Sequence, residues 1–533
     1  MDTSKRKPLS SFLVLLPWTI LLLCYLFSIL SFYRFGSNKL NGDLSSEMVM
    51  ADFFNKEHTL LSKNWYYSTG LTIASSIPAF QLGLLLFSSW HMARTFAIAL
   101  LMAGCIIAFL YAAFAHGKQP WAIYAVCLLT LPLGEAYAFI LPWGGFYSMS
   151  LILACVLYGL IERYIRKPRY QKKLYLFFIL LISFWYSLKG VRIFMEFTSP
   201  YCLVAFLPYI RRYFTASLSS NPEETEMEHR RFFVLAISTI VSFVGCIINF
   251  TILSKQYYVT NYSDTAIHSF SLLDFIGHFE SWKVYLGFRP NVPLFSLKGI
   301  LALGCLCFPV IMLILCIWDV FTRKDPTHSF ACFALCGCFT GVLINCTFGQ
   351  SSSEYHISYY LVAFLFMVTY VFCFIWNRHC HKLFGHILCC LLCFFFILVS
   401  VDYIRTSQTS TKTPRQKAVE WLVENNYTIG YATFWDGHPL TEESDGSLEI
   451  IVYETWAGGE PYKWLQSAAH ITQVPDQPVF VYTDIDEQGF IPFPGTEDHL
   501  VYNENGVYIY AYDSGIEVNQ ILSDYHTTYW AQQ

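Results

Sequence analysis

Four short stretches of the sequence hold polar side chains whose spacing suits chemistry at a membrane surface. The first is Gly42-Asp-Leu-Ser-Ser-Glu-Met-Val-Met-Ala-Asp. Asp43 and Glu47 are four apart, so on a helix they share a face, whereas Asp52 lies about 140° around from Glu47. Two facing carboxylates above a membrane-level cavity would act as a general base and a metal ligand. The plainer reading is an exposed loop with helix-capping acids. The second stretch is Leu131-Pro-Leu-Gly-Glu-Ala-Tyr, where Glu135 stands near the outer end of an apolar run. A carboxylate at bilayer depth costs roughly 2.5–3.5 kcal/mol, so it is either paired internally or kept for a task as a second acid or metal ligand. Asp43 and Glu135 are the candidate ligands of a divalent ion, Mg or Mn. The third is Lys189-Gly-Val-Arg192, with Glu196 four residues on. The planar fork of Arg192, helped by Lys189, would grip a phosphate, or it would simply pair with Glu196 along a helix. The fourth is Ser351-Ser-Ser-Glu-Tyr-His, where Glu354 and His356 have either a substrate role or an interfacial one. Trp65 and Asp52 complete the substrate-binding candidates. Trp65, Tyr66, Tyr67, Trp143, Tyr257, Tyr258 and Trp282 form an interfacial aromatic belt by default, and some would stack on sugar rings.

The elements that position these residues follow from composition. Of 533 residues, 55% are hydrophobic and only 14% charged, against about 25% in soluble domains. There is too little charge to cover the surface of a soluble protein. The net charge of −4 conceals two parts. Residues 404–533 hold 5 Lys and Arg against 19 Asp and Glu, a net of −14, and residues 1–403 carry +10. All 18 cysteines precede residue 404. Most sit in apolar runs, where thiols behave as small hydrophobes, and Cys389-Cys390-x-x-Cys393 is a poor zinc motif for lack of a polar surround.

About 20 apolar residues span a bilayer. Such runs occur near 11–33, 92–115, 120–138, 143–162, 174–188, 200–211, 232–253, 299–319, 329–347, 357–376 and 384–402, which predicts about eleven helices. The stretch 66–90, broken by Ser68, Ser75, Ser76, Pro78 and Gln81, reads as an interfacial, re-entrant helix. Basic residues cluster at 1–10, 163–173, 212–231, 320–328 and 377–383. The positive-inside rule puts these in the cytoplasm, with the first run as a signal anchor. The segments 34–91, 189–199, 254–298 and the acidic tail then lie outside.

In the tail, Ala418, Trp421 and Leu422 predict an amphipathic helix over 415–425. Strands are expected at 429–435, 448–453, 479–482, 500–502 and 507–512. Asn505-Gly506 between the last two is a hairpin signal. The tail is read as a small α/β domain whose scattered acids, among them Glu442, Glu443 and Asp445, form a solvated surface. A calcium loop at Asp484-x-Asp486-Glu487 lacks the usual spacing. No P-loop, dinucleotide or zinc-protease motif is present, and no basic aromatic groove suggests nucleic acid.

Met50-Ala-Asp-Phe-Phe-Asn-Lys-Glu, Ser62-Lys-Asn-Trp-Tyr-Tyr-Ser-Thr, and in the tail Gly430-Tyr-Ala-Thr-Phe-Trp, Leu440-Thr and Ser444-Asp-Gly-Ser complete a pattern. With many spans and an outer C-terminal domain, it resembles the GT-C class of integral-membrane glycosyltransferases. It is most similar to bacterial members related to polyprenyl-phosphate-sugar-dependent mannosyl and aminoarabinosyl transferases. The resemblance implies a GT-C-like transmembrane domain over 1–403, with outer loops 34–91 and 254–298, and an extracytoplasmic α/β domain over 404–533. It also implies a polyprenyl-phosphate sugar donor, a glycan, lipid or protein acceptor, an outer-loop acid as base or metal ligand, and basic residues on the lipid phosphate. Many such proteins carry an adjacent Asp-Glu pair at the loop start. Here Glu47 matches the Glu, Ser46 occupies the Asp position, and Asp43 is the acid that would take over. The rival readings are a transporter or flippase of lipid-linked sugars, and a non-catalytic envelope protein on the same scaffold.

Overall fold

Proline and glycine decide where the long apolar runs break. The computed structural model describes residues 7–68, 70–71, 73–117, 119–166, 169–214, 222–260, 271–322, 328–348, 357–378, 382–407, 412–485 and 491–532. In chain order the main helices are α1 (Lys7–Phe35), α2 (Gly42–Lys56), α3 (Ile77–Leu86), α4 (Trp90–Ala113), α5 (Pro120–Thr130), α6 (Glu135–Ile140), α7 (Ser148–Arg166), α8 (Arg169–Ser187) and α9 (Ser199–Phe214). They continue with α10 (Pro222–Ile248), α11 (Leu272–Tyr285), α12 (Leu297–Thr322), α13 (His328–Phe348), α14 (Leu361–Arg378), α15 (Lys382–Ser407), α16 (Pro414–Glu424), α17 (Phe434–Glu443) and α18 (Gly515–Gln532). The strands are β1 (Tyr66–Tyr67), β2 (Tyr258–Val259), β3 (Ile429–Thr433), β4 (Glu449–Tyr453), β5 (Val479–Asp484), β6 (Leu500–Glu504) and β7 (Val507–Tyr512).

The chain is a polytopic α-helical membrane protein with a small C-terminal mixed-sheet domain. Among the described residues, eight helices are long and apolar enough to cross a membrane, from Leu13–Lys39 to Lys382–Ser407. Ile77–Leu86, Pro120–Thr130 and Phe194–Leu207 are shorter apolar helices. Two sequence expectations change in detail. The run 120–138 is not one helix: Pro132 disfavours helical geometry at the preceding residue, and Leu131 is extended at φ −80° and ψ 131°. Glu135 therefore opens a new helix, where its charge complements the N-terminal dipole. In 66–90 only α3 is helical, and ten residues rise about 15 Å, half of what a crossing needs.

The contacts divide the chain into two compact units. The first comprises residues 1–30, 101–250 and 264–407. Its interior is aromatic: Phe330 stacks on Phe366 at 4.2 Å, and Tyr158 meets Phe366 edge-on at 5.0 Å and Phe333 at 5.2 Å. Trp143 and Trp282 are buried here rather than set in a belt, and the Trp282 indole donates to the Tyr360 hydroxyl at 3.2 Å. Cys389 and Cys393 are likewise buried on α15.

The second unit comprises residues 31–100, 251–263 and 408–533. Its sheet has the order β4-β3-β5-β7-β6. β3 runs parallel to β4 and β5, and β7 is antiparallel to β5 and β6. Strand alternation sends Ile450 and Phe480 to one face, under α16 and α17, and Ile451 and Val481 to the other, under α18. Thr413 and Gln416 form a capping box at the start of α16. Asn505 and Gly506, at φ 53° and 85°, make the tight β6–β7 turn expected from sequence. Residues 64–67 join the tail: Tyr66 N–H donates to the Gln466 carbonyl at 2.9 Å, and Ala468 N–H to that of Asn64 at 2.8 Å.

Candidate functional site

In the second unit the acid-bearing stretch, read from sequence as part of an outer loop, is helical. The Asn41 side chain caps α2, accepting from Leu44 N–H at 3.0 Å. Asp43 stands in the first turn, partly exposed. Glu47, one turn on, is 6% exposed, and its carboxylate accepts a hydrogen bond from Ser76, the residue before α3. Asn55 and Gln81 add reciprocal bonds between α2 and α3 at 3.1 and 3.2 Å. Ser46, in the position of the missing Asp, donates to the Asp43 carbonyl at 2.7 Å. Asp52, off this face, pairs with Lys56 at 2.7 Å. Trp65 is 1% exposed and packs between Phe53 at 5.2 Å and Phe54 at 6.3 Å, so its indole belongs to the core of this unit.

Residues that sequence reasoning did not single out hold α2 in place. Arg94 is buried at the start of α4. Its guanidinium makes a two-pronged ion pair with Glu442, with Nη2 at 2.7 Å, and donates from Nη2 to the Leu44 carbonyl at 2.8 Å. Arg415 bonds Asp436 at 3.2 Å, Glu443 at 3.1 Å and the Leu40 carbonyl at 2.8 Å. Burial opposes the charge on Arg415, but Glu443 and Asp436 more than offset it and hold the guanidinium above its ordinary range. Asp445 accepts from the Trp90 N–H at 2.6 Å. Gly42 lies flush on Phe434, where a Cβ would come within 2.3 Å of the Phe434 carbonyl oxygen. The reading of the tail acids as a solvated surface is therefore overturned for Glu442 and Glu443, whereas Asp445 is exposed as expected. They serve as counter-ions or caps to residues far off in sequence. The one visible sign was Arg94 sitting inside an otherwise apolar run.

His438 on α17 is 2% exposed, and its Nε2 has no hydrogen-bond partner among the described residues. Burial, with His470 nearby, holds its pKa down at about 3, against 6.5 for a free side chain. Below pH 6.5 the unfolded chain takes up this proton while the folded chain does not, so stability is lost as pH falls. Unfolding is expected to become easier by up to about tenfold per pH unit between roughly 6.5 and 3. Denaturation of the wild type and His438→Leu at pH 7 and 5 checks this; an equal slope in both removes His438 as the cause.

In the first unit, Gly190 at φ 88° turns the chain out of α8 and sets Lys189 and Arg192 beside the start of α7. Lys189 donates to the Ser150 hydroxyl at 2.6 Å. Arg192 is flanked by the rings of Tyr147 at 5.0 Å and Tyr359 at 5.3 Å and pairs with Glu196 at 3.3 Å. Glu196 sits in the π-helical turn Phe194–Thr198 and also accepts from the Tyr186 hydroxyl. The intrahelical Arg192–Glu196 pair weighed against a phosphate grip is thus formed. Glu135 is exposed, and its carboxylate interacts electrostatically with Tyr403. Arg289 lies 5.6 Å over the Tyr403 ring and pairs with Asp402 at 3.1 Å. Glu354 and His356 lie outside the described residues, as does part of the Asp484–Glu487 calcium reading. Among the described residues no three His, Cys, Asp or Glu side chains converge as a metal site.

No protein-family profile matches the sequence, and no curated protein sequence matches it either. Solved structures do. The apo crystal structure of the Archaeoglobus fulgidus oligosaccharyltransferase matches 89% of this chain and 70% of its own, at 11% identity and a TM-score of 0.50. The same enzyme in complex with Zn and sulfate matches at 11% identity, covering 88% and 68%, with a TM-score of 0.48. ArnT from Cupriavidus metallidurans bound to undecaprenyl phosphate matches at 12% identity, covering 93% and 97%, with a TM-score of 0.47. The chain shares the fold of the Archaeoglobus fulgidus oligosaccharyltransferase.

Proposed function

We propose that this chain is a membrane glycosyltransferase that moves a sugar from a polyprenyl-phosphate donor to an acceptor at the outer face of the cytoplasmic membrane. The observation that carries the reading is the fold shared with an oligosaccharyltransferase over 89% of the chain. It is supported by a capped helix bearing Asp43 and Glu47 in one unit and by the Lys189–Arg192 cradle in the other. The basic segments of the sequence support the orientation.

In this reading an acid on α2 takes the proton of the acceptor hydroxyl as the new glycosidic bond forms. The bond between the anomeric carbon and the phosphate oxygen breaks, and polyprenyl phosphate leaves. Asp43, the more exposed acid, is the base. Glu47, held by Ser76, orients the acceptor, and Glu135 is a second acid. Lys189 and Arg192 bind the lipid phosphate, with the tyrosine rings fixing the guanidinium plane. Trp65 and Asp52 drop out, because one is core and the other is paired with Lys56.

The test is reconstitution in proteoliposomes with polyprenyl-phosphate sugars and glycan, lipid or peptide acceptors, followed by mass spectrometry. Polyprenyl phosphate should appear together with a glycosylated acceptor. Movement of intact donor across the bilayer without product favours the transporter reading instead. Arg192→Ala and Lys189→Ala should each raise the donor KM by about tenfold or more, the usual loss of a charged hydrogen bond. An unchanged donor KM in both removes them from the phosphate site.

A further inference from the structure

The last turn of α7 holds a second cationic site that the transfer chemistry does not use. Glu162 is fully buried. Two guanidiniums converge on it, Arg166 and Arg231 of α10, each at 3.3 Å, and the Tyr201 hydroxyl donates to it at 2.7 Å. Arg230 donates to the Ile165 carbonyl at 3.2 Å and pairs with Glu226. Arg163, on the same turn, lies 3.8 Å over the Tyr111 ring and makes no ion pair among the described residues.

Two guanidiniums on one carboxylate leave a positive charge in a largely apolar setting, where an uncompensated ion is costly. The Nε of Arg231 is buried and has no hydrogen-bond acceptor among the described residues, so this guanidinium is not fully partnered by Glu162. Arg231 is 15% and Arg166 37% exposed, so an anion would meet the exposed part of each side chain rather than the covered Nε of Arg231. The place selects its source. Arg166 is the final residue of the membrane-crossing helix Ser148–Arg166, and Arg231 stands near the start of Thr225–Gln256. Both therefore lie at headgroup level, where basic pockets between spanning helices take lipid phosphates.

We infer that Arg166 and Arg231, set side by side by Glu162, bind the phosphate of an anionic phospholipid. The site is separate from the Lys189–Arg192 cradle, which stands at the other end of α7, and it does not depend on the proposed transfer reaction.

The full-length chain in detergent is mixed with phosphatidylglycerol, phosphatidylcholine or inorganic phosphate. Retained lipid is read by native mass spectrometry and stability by thermal unfolding. Phosphatidylglycerol should be retained and raise the unfolding midpoint, while phosphatidylcholine and inorganic phosphate should not. Arg166→Gln and Arg231→Gln should each weaken its retention by about fivefold, and the double variant by about thirtyfold. Arg231→Lys, which keeps the charge and loses the Nε donor, should lose less than Arg231→Gln. Equal retention of both lipids, or a phosphatidylglycerol preference that survives the double variant, overturns the inference. Stabilisation by inorganic phosphate alone overturns the lipid assignment. If the double variant does not fold, Arg163→Gln on the adjacent surface is read in the same way. It should lower phosphatidylglycerol retention severalfold, and no change there counts against the site.

Discussion

Arg94→Leu is expected to destabilise the second unit by about 3–5 kcal/mol, the usual result of leaving a buried charge without its partner. Arg94 and Glu442 are 1% and 3% exposed, so neither charge has water to fall back on once the other is gone. Glu442→Leu should cost a similar amount, because Arg94 would then be left with only the Leu44 carbonyl. Both together should cost far less than the sum, since an apolar pair of similar volume replaces a buried ion pair at little penalty. Unfolding of the full-length chain in detergent, with hydrogen exchange read over β3, β4 and β5, measures all three. A single variant within 1 kcal/mol of wild type would mean that the pair is hydrated in solution. The effect has a functional side, because the same guanidinium holds the Leu44 carbonyl inside α2, one residue from Asp43.

The second large effect is catalytic. Asp43→Asn should lower kcat by about 10²–10⁴, the range for loss of a general base, while leaving the unfolding midpoint nearly unchanged because the side chain is partly exposed. Glu47→Gln should behave differently. Its amide oxygen can still accept from Ser76, so the fold is kept. The negative charge on the acceptor side is lost, and the fall in kcat should be smaller and accompanied by a raised acceptor KM. Transfer at the wild-type rate in both variants would sink the assignment of α2 as the catalytic element, although the fold would stand.

Much of this architecture was legible in the residues because it depends on local pattern. Every predicted apolar run holds a helix, since a run of about 20 apolar residues has no other way to satisfy its backbone in lipid. The tail strands were readable as short apolar runs set off by turn signals, and the β6–β7 turn from Asn505-Gly506, because both residues tolerate positive φ. The helix carrying Asp43 and Glu47 was not read from sequence, where both acids fell in an outer loop. The break at Pro132 was readable in principle, but the apolar content of 120–138 masked it.

The aromatic and acidic residues misled because their meaning is non-local. Trp65, Trp143 and Trp282 have the composition of a membrane belt and the burial of core residues. Glu442 and Glu443 have the composition of a solvated face, yet their counter-ions are Arg94, 348 residues away, and Arg415. By itself the sequence determined a polytopic helical protein with an acidic α/β tail, since hydrophobic run length, charge balance and turn chemistry are properties of neighbours along the chain. Only the tertiary structure decided that the tail packs with residues 31–100 in one unit, that Arg192 lies between Tyr147 and Tyr359 while Lys189 reaches Ser150, and that Arg166 and Arg231 meet on Glu162. Burying a charge requires a partner, and the chain supplies that partner from whichever distant segment the fold brings alongside.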